Sequence, residues 1–316
     1  MSSPVKLIFG THAIQTFPVE VQKEFFSILK EYGVKDLDTA YIYAGSEQAL
    51  GDIGAAKTYA IHTKAPGFIP GFQKKDSIIA TANESLERLG VDQVDTYFLH
   101  SPDPETHIED TLEGVQEVYK SGKFKHFGLS NFPAADVEKI HAYMSSHAYV
   151  LPTVYQGNYN PVARHADSDL FPLLRKLGMR FYAYSPLAGG FLTKSAATVA
   201  AGNSGRFNRD DRGGQLYQKM YNRPSLLAAL EEWDAIACDA GISRAALAYR
   251  FVAFHSSLDG SKGDGVVVGA SRPEQLRGTL EELRKGVLEP STVERVERVW
   301  ESVKGEAPVD NFADGQ

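Results

Sequence analysis

Cysteine is almost absent, with Cys238 the only thiol in 316 residues. A single thiol excludes an internal disulfide and any metal site built from several cysteines, and it fits a reducing compartment. Cys238 itself is expected to be a packed helix residue. No stretch approaches the roughly 18 apolar residues that a membrane-crossing helix needs. The opening residues MSSPVKLIFGTHAIQTF lack the basic, apolar, small-residue order of a secretory leader, so the expected address is cytoplasmic with no membrane partner. Positive charge is not in excess either: the net charge is -7, and no basic face is offered to nucleic acid. An anionic cofactor would need a local cluster of donors. No G-x-G-x-x-G follows a predicted strand, and neither G-x-S-x-G nor H-E-x-x-H occurs, so dinucleotide-fold, serine-hydrolase and zinc-protease readings lose their signatures. Repeats, low-complexity tracts and linkers are lacking, and a single domain over residues 1–316 is expected.

What is present is core material, 43% hydrophobic and 11% aromatic, in an alternating order. Short apolar or β-branched runs predict strands at Lys6–Gly10, Lys35–Asp38, Tyr59–Lys64, Val94–His100, His126–Ser130, Thr153–Gln156, Arg180–Tyr184 and Gly265–Gly269. Between them, three-to-four spacing of apolar residues predicts helices at Val19–Tyr32, Lys75–Leu89, Glu109–Tyr119, Asp136–Tyr143, Ser168–Leu177 and Pro273–Leu283, several followed by a stop glycine. Strands joined by helical crossovers, eight times over, predict an α/β fold of the (β/α)8 TIM barrel type. The polar, glycine-rich stretch Lys194–Gln215 reads as a long loop after the seventh strand.

A barrel of this kind carries its active site at the C-terminal ends of the strands. Asp38, Lys64, His100, Ser130 with Asn131, Gln156 and Tyr184 fall at those ends, and Tyr43 follows Asp38 closely enough to lean back over the mouth. Singly, each has a plainer reading: Asp38 a turn former, Lys64 a solvated lysine, His100 a strand terminator, Tyr43 a packed aromatic. Together they make a chemical set. A phenol, with an ordinary pKa near 10, works as a general acid when cationic and hydrogen-bonding neighbours make its proton more available. Lys64 could supply that charge, Asp38 could keep Lys64 ionised, and His100 could orient a carbonyl.

The motifs Asp38-Thr-Ala-Tyr-Ile-Tyr43, Lys64, Val94-Asp-Thr-Tyr-Phe-Leu-His100 and Gly128-Leu-Ser-Asn131 resemble those of the aldo-keto reductase superfamily. Gln156-Gly-Asn-Tyr-Asn-Pro161, Arg180-Phe-Tyr-Ala-Tyr-Ser-Pro-Leu-Ala-Gly-Gly190 and Gly205-Arg-Phe207 are similar to its aflatoxin-aldehyde reductase branch. The resemblance implies NADPH-dependent reduction of aldehydes or ketones, with Asp38, Tyr43, Lys64 and His100 as catalytic tetrad and Tyr43 as proton donor. It also implies that Ser130, Asn131 and Gln156 hold the nicotinamide carboxamide, that Tyr184 stacks on its ring, and that Ser185, Leu187 and Gly189 line the pyrophosphate. Gly269, Ser271, Arg272 and Gln275 resemble the segment that grips a 2′-phosphate, which favours NADPH/NADP+. Relatives often hold the adenine with Glu-Asn or Gln-Asn shortly after this segment, where this chain has Gly278-Thr279; Arg277 is a substitute candidate or a solvent-facing helix residue.

Branch members that accept carboxylated aldehydes carry arginines in the segment matching Tyr217–Asn222, and only Lys219 stands there, so succinic semialdehyde is a less expected substrate. The other reading that the resemblance leaves open is a cofactor-binding regulatory subunit like the potassium-channel β subunits. A small-molecule carbonyl is the expected partner, to a monomer or a homodimer. Asn311–Asp314 either folds over the mouth or frays.

Overall fold

The computed structural model describes residues 4–315, so Met1–Ser3 and Gln316 of the expected single domain lie outside the described residues. Eight strands, β1 (Lys6–Gly10), β2 (Asp36–Asp38), β3 (Ala60–Lys64), β4 (Val94–Leu99), β5 (Phe124–Ser130), β6 (Pro152–Asn158), β7 (Arg180–Tyr184) and β8 (Gly265–Val268), pair in chain order and close into a barrel. All pairings are parallel, as right-handed helical crossovers require. The closed α/β architecture is the (β/α)8 TIM barrel that the alternation predicts, and strand limits differ from the expected ones by up to two residues.

Helices α1 (Val19–Tyr32) and α3 (Lys75–Leu89) run over the predicted residues, and Gly33 (φ 72°) and Gly90 (φ 66°) end them in the left-handed region that a side chain resists. Short α2 (Ser46–Asp52) intervenes, and α4 (Ile108–Lys120), α5 (Ala134–Ser146) and α6 (Leu170–Lys176) follow. Lys194–Gln215 is not the continuous loop expected of it. It holds α7 (Ala196–Ala201), a 3-10 turn at Gly205–Phe207 and the start of α8 (Arg212–Tyr221). Ser195 and Asp211 cap these helices by accepting from the Thr198 and Gly214 N–H groups, and Val199 and Phe207 are fully buried beneath them. Capping serine and aspartate outweigh the glycines around them.

α9 (Pro224–Asp239) and α10 (Arg244–Phe254) complete the excursion before β8, and α11 (Pro273–Arg284) and α12 (Pro290–Val303) follow it. Cys238 is helical but exposed, against expectation. The buried stripe of α9 runs through Leu226, Leu230, Trp233, Ile236 and Ala237, which leaves position 238 on the outer face.

Inside the barrel, Ile8, Phe98, Val154, Tyr182 and Val267 pack as one cluster. Gly128 makes room for it: a Cβ there would meet the Phe98 ring at 2.3 Å. Phe98 in turn lies under the mouth, 5.9 Å from the Lys64 ammonium.

Candidate active site

Two strand ends and a residue near the end of β6 fix the centre. Asp38 closes β2 opposite His62 of β3, and Lys64 closes β3 opposite Phe98 of β4. Their side chains point to the same place: Lys64 Nζ donates to both Asp38 oxygens at 2.7 Å and to the Thr39 carbonyl at 2.7 Å. Lys64 is wholly buried and Asp38 nearly so. Burial draws the Lys64 pKa down, while Asp38 pulls the other way and favours the ammonium. Gln156, from β6, donates to Asp38 Oδ1 at 2.7 Å.

Tyr43 stands above this pair. Its ring centroid is 5.3 Å from Lys64 Nζ, 4.6 Å from the His12 ring and 5.7 Å from the His100 ring. The phenol therefore sits between two imidazoles over a charged floor. Both imidazoles are held neutral. Burial first, then Lys64 and His12, press the His100 pKa well below its ordinary value, and burial with Arg206 and Lys64 lowers that of His12.

The expectation that Lys64 makes Tyr43 more acidic is corrected here. Burial, joined by the Asp38 carboxylate, raises the Tyr43 pKa, and Arg206 offsets this in part. The physical reason is first the desolvation of the hydroxyl and then the Asp38 carboxylate, while Lys64 directs its own hydrogen bonds to Asp38 and Thr39. Tyr43 keeps part of its surface open to the mouth, but its surroundings desolvate the hydroxyl.

The residues assigned to the nicotinamide come together and currently bond one another. Asn131 Nδ2 donates to the His100 carbonyl at 2.8 Å and to Ser130 Oγ at 3.1 Å, and Tyr184 OH donates to Asn131 Oδ1 at 2.6 Å. Ser130, Asn131 and Gln156 are buried. Backbone strain collects around them: of the five non-glycine residues with positive φ among the described residues, Phe68, Asn131, Ser185 and Ala188 border the mouth. Such conformations cost about 1–3 kcal/mol each and persist where the surrounding structure over-determines them.

Past β7, Ser185, Leu187 and Gly189 line a turn in which Ser185, Ala188, Gly189 and Gly190 all have positive φ. The Ser185 and Leu187 N–H groups have no hydrogen-bond partner among the described residues. Backbone donors left without a partner in such a turn suit a phosphate. His100 Nδ1 is also buried without a partner. These unsatisfied donors and the ring-bearing wall fit a nicotinamide dinucleotide.

On the far side, Gly269, Ser271, Arg272 and Gln275 surround the start of α11 and are exposed. Ser271 donates through both N and Oγ to Gln275 Oε1, at 3.1 and 2.8 Å. Arg272 makes no ion pair among the described residues, whereas Arg277 pairs with Glu31 at 2.8 Å.

Three contributors were not found from sequence. His12 follows β1 by two residues, and extending the strand-end test to the first strand would have found it. Phe68 edges the His100 ring at 5.2 Å and faces Phe312 at 6.2 Å. The C-terminal segment is folded over the mouth, not frayed: Asn311 N donates to Tyr184 OH at 3.4 Å, Asp310 Oδ1 accepts from Phe312 and Ala313 N–H at 2.8 Å, and Arg223 pairs with Asp314 at 2.8 Å. Arg206 is the third. No group of histidine, cysteine and carboxylate side chains suits a metal ion among the described residues, and no described helix is long and apolar enough to cross a membrane.

The Aldo/keto reductase family model matches residues 6–301. An oxidoreductase of Leptosphaeria maculans, sirO, is 43% identical over 292 residues, covering 92% of this chain and 88% of that protein. Aflatoxin B1 aldehyde reductase member 2 of Rattus norvegicus is 35% identical over 304 residues (88% and 79%), and that of Homo sapiens 35% over 302 residues (88% and 81%).

Proposed function

The chain belongs to the aldo/keto reductase family, and from that premise we propose that it reduces aldehydes or ketones to alcohols with NADPH, using Tyr43 as proton donor. The observation that carries this reading is Tyr43 held between the neutral rings of His12 and His100 above the buried Lys64–Asp38 pair. A bound nicotinamide nucleotide supplies the hydride; the rest falls to side chains of this chain. His100, kept neutral, hydrogen-bonds and orients the carbonyl oxygen, and Tyr43 releases its proton to that oxygen. Lys64, anchored by Asp38, provides the nearest positive charge for the phenolate that Tyr43 becomes. Ser130, Asn131 and Gln156 hold the carboxamide, Tyr184 offers its ring face, and Ser185, Leu187 and Gly189 receive the pyrophosphate. Phe68 and Phe312 narrow the entrance and exclude water.

Loss of nicotinamide absorbance on mixing the protein with 4-nitrobenzaldehyde and either NADPH or NADH tests the reading. Turnover supports the reductase; bound cofactor with no turnover would return the regulatory-subunit reading.

Two further outcomes are expected. Arg272, exposed beside Ser271 and without a carboxylate partner, suits a 2′-phosphate through its planar fork. Arg272→Ala should lower kcat/KM with NADPH by about tenfold or more, as loss of a charge-assisted bond does, and leave NADH almost untouched. An unchanged NADPH/NADH ratio removes Arg272 from that role. Phe312→Ala, which opens the Phe68–Phe312 contact, should raise the KM for 4-nitrobenzaldehyde roughly fivefold, the equivalent of about 1 kcal/mol of aromatic contact, without weakening NADPH binding. If KM stays level, the tail does not line the substrate's path.

A further inference from the structure

Ser46 opens α2, and the mechanism above does not use it. Ser46 and Thr39 are fully buried and Thr11 nearly so, and their three hydroxyls meet. Ser46 Oγ lies 2.9 Å from Thr39 Oγ1 and 3.1 Å from Thr11 Oγ1, and it donates to the Thr11 carbonyl at 2.9 Å. Thr11 Oγ1 donates to the Asp38 carbonyl at 2.8 Å. With those two protons placed, the Thr39 hydroxyl donates to Ser46 Oγ, and each of the three O–H donors is used once.

This cluster reaches the reacting groups through the backbone. Thr11 precedes His12, whose ring packs on Tyr43 at 4.6 Å. Thr39 follows Asp38, and its own carbonyl accepts from Lys64 Nζ at 2.7 Å. Ser46 N–H donates to the Tyr43 carbonyl at 2.9 Å and Tyr43 N–H to the Ala40 carbonyl at 3.0 Å, so the turn 40–46 is closed on both sides of Tyr43. One serine therefore joins the ends of β1 and β2 to the turn that carries the phenol. The helix presenting it is fixed from the other side. Glu47, also buried, accepts from Thr63 Oγ1 at 2.6 Å and pairs with Arg88 of α3 at 3.2 Å. Gly51 packs so closely on α3 that a Cβ there would meet the Arg88 carbonyl at 2.0 Å. Tyr43 itself makes no side-chain hydrogen bond among the described residues, so its place over Lys64 depends on this turn and on ring packing.

We propose that Ser46 is a positioning residue for carbonyl reduction: through its hydrogen bonds with Thr39 and Thr11 it holds the Tyr43 turn against the strand ends and fixes the phenol above the Lys64–Asp38 pair. Sealed from solvent, Ser46 acts through Tyr43 and not on the substrate. Without its hydroxyl, Thr39 loses its side-chain acceptor and the Thr11 carbonyl keeps the Ile14 N–H. A buried hydroxyl without a partner is costly, and opening of the turn to water relieves it. The effect on catalysis rests on the reductase reading; the hold on the turn does not.

The full chain is compared with Ser46→Ala, Thr39→Val and Thr39→Ser in three readouts. These are NADPH affinity by quenching of protein fluorescence, the single-turnover rate of NADPH oxidation with saturating 4-nitrobenzaldehyde, and amide hydrogen exchange of segment 40–47 against the rest of the barrel. Ser46→Ala should slow the single turnover by at least about tenfold with NADPH affinity unchanged, since misplacing a reacting group by ~1 Å costs about a hundredfold. Exchange should quicken in 40–47 and not elsewhere. Thr39→Val, which keeps the shape and removes the hydroxyl, should move the same readouts by less, and it is the independent variant if Ser46→Ala does not fold. Thr39→Ser keeps the hydroxyl and should lose much less than Thr39→Val. An unchanged single-turnover rate in folded Ser46→Ala overturns the proposal, as do equal losses in the two Thr39 variants. A rate loss matched by lost NADPH affinity and by faster exchange throughout the barrel also overturns it, because that pattern marks a residue that only stabilises the fold. If the wild type does not reduce 4-nitrobenzaldehyde, faster exchange confined to 40–47 in Ser46→Ala supports the hold on Tyr43 and overturns the reductase reading; unchanged exchange overturns both.

Discussion

Tyr43→Phe is expected to lose carbonyl reduction by at least about a hundredfold, the lower end of what a positioned general acid contributes, while NADPH still binds. The substitution removes one hydroxyl and keeps the ring that packs against His12 and His100 at 4.6 and 5.7 Å, so the walls of the mouth stay in place. No hydrogen bond within the described residues depends on that hydroxyl. Steady-state rates with 4-nitrobenzaldehyde, set beside an NADPH titration, separate the two effects. Retained turnover would sink the assignment of Tyr43 as acid, and loss of NADPH binding would make it a structural residue.

The pH profile carries the same argument. Burial and Asp38 raise the Tyr43 pKa, so the protonated, proton-donating form persists above the ordinary phenol value of about 10. His100 and His12 are both lowered, so neither gains charge as pH falls through the ordinary imidazole value near 6.5. The wild-type reduction rate should therefore be flat across neutrality, with its alkaline decline displaced upward. A decline centred well below the ordinary phenol value would contradict the raised pKa.

Lys64→Met should have the largest effect on stability. It leaves Asp38, nearly buried, with Gln156 as its remaining side-chain partner, and removing one member of a buried pair costs about 3–5 kcal/mol because the other charge is stranded. Denaturant unfolding should report that loss along with loss of turnover. Asp38→Asn combined with Lys64→Met removes the stranded charge, and it should recover much of the stability and none of the activity. If Lys64→Met unfolds at the wild-type midpoint, Asp38 is not relying on the pair. If the double variant turns over, Lys64 is not the charge that supports Tyr43.

How much of this was legible from sequence differs by residue. Asp38, Lys64 and His100 could be read because a parallel barrel places every strand end at one mouth, so their order along the chain already implied proximity. The same logic would have reached His12, had it been applied to β1. Arg206 and Phe312 were beyond it. One arrives on a short turn inside a stretch that composition marked as loop, and the other on a tail tied down by Asp310 and the Arg223–Asp314 pair. Neither position follows from periodicity, because such segments are oriented by what they pack on. The same holds for Cys238, where helix was predicted correctly and the face was not.

The sequence by itself determined the eight-fold alternation, the barrel that follows from it, and the side chains presented at the strand ends, because strand period, helix period and stop glycines are local properties. Only the tertiary structure decided the rest: that Lys64 spends its hydrogen bonds on Asp38 and Thr39, that burial and Asp38 leave Tyr43 less acidic instead of more, that the tail closes over the mouth, and that Arg206 stands beside it. Those outcomes depend on distances of a few ångströms between residues far apart in the chain, and desolvation and ion pairing are set by such distances.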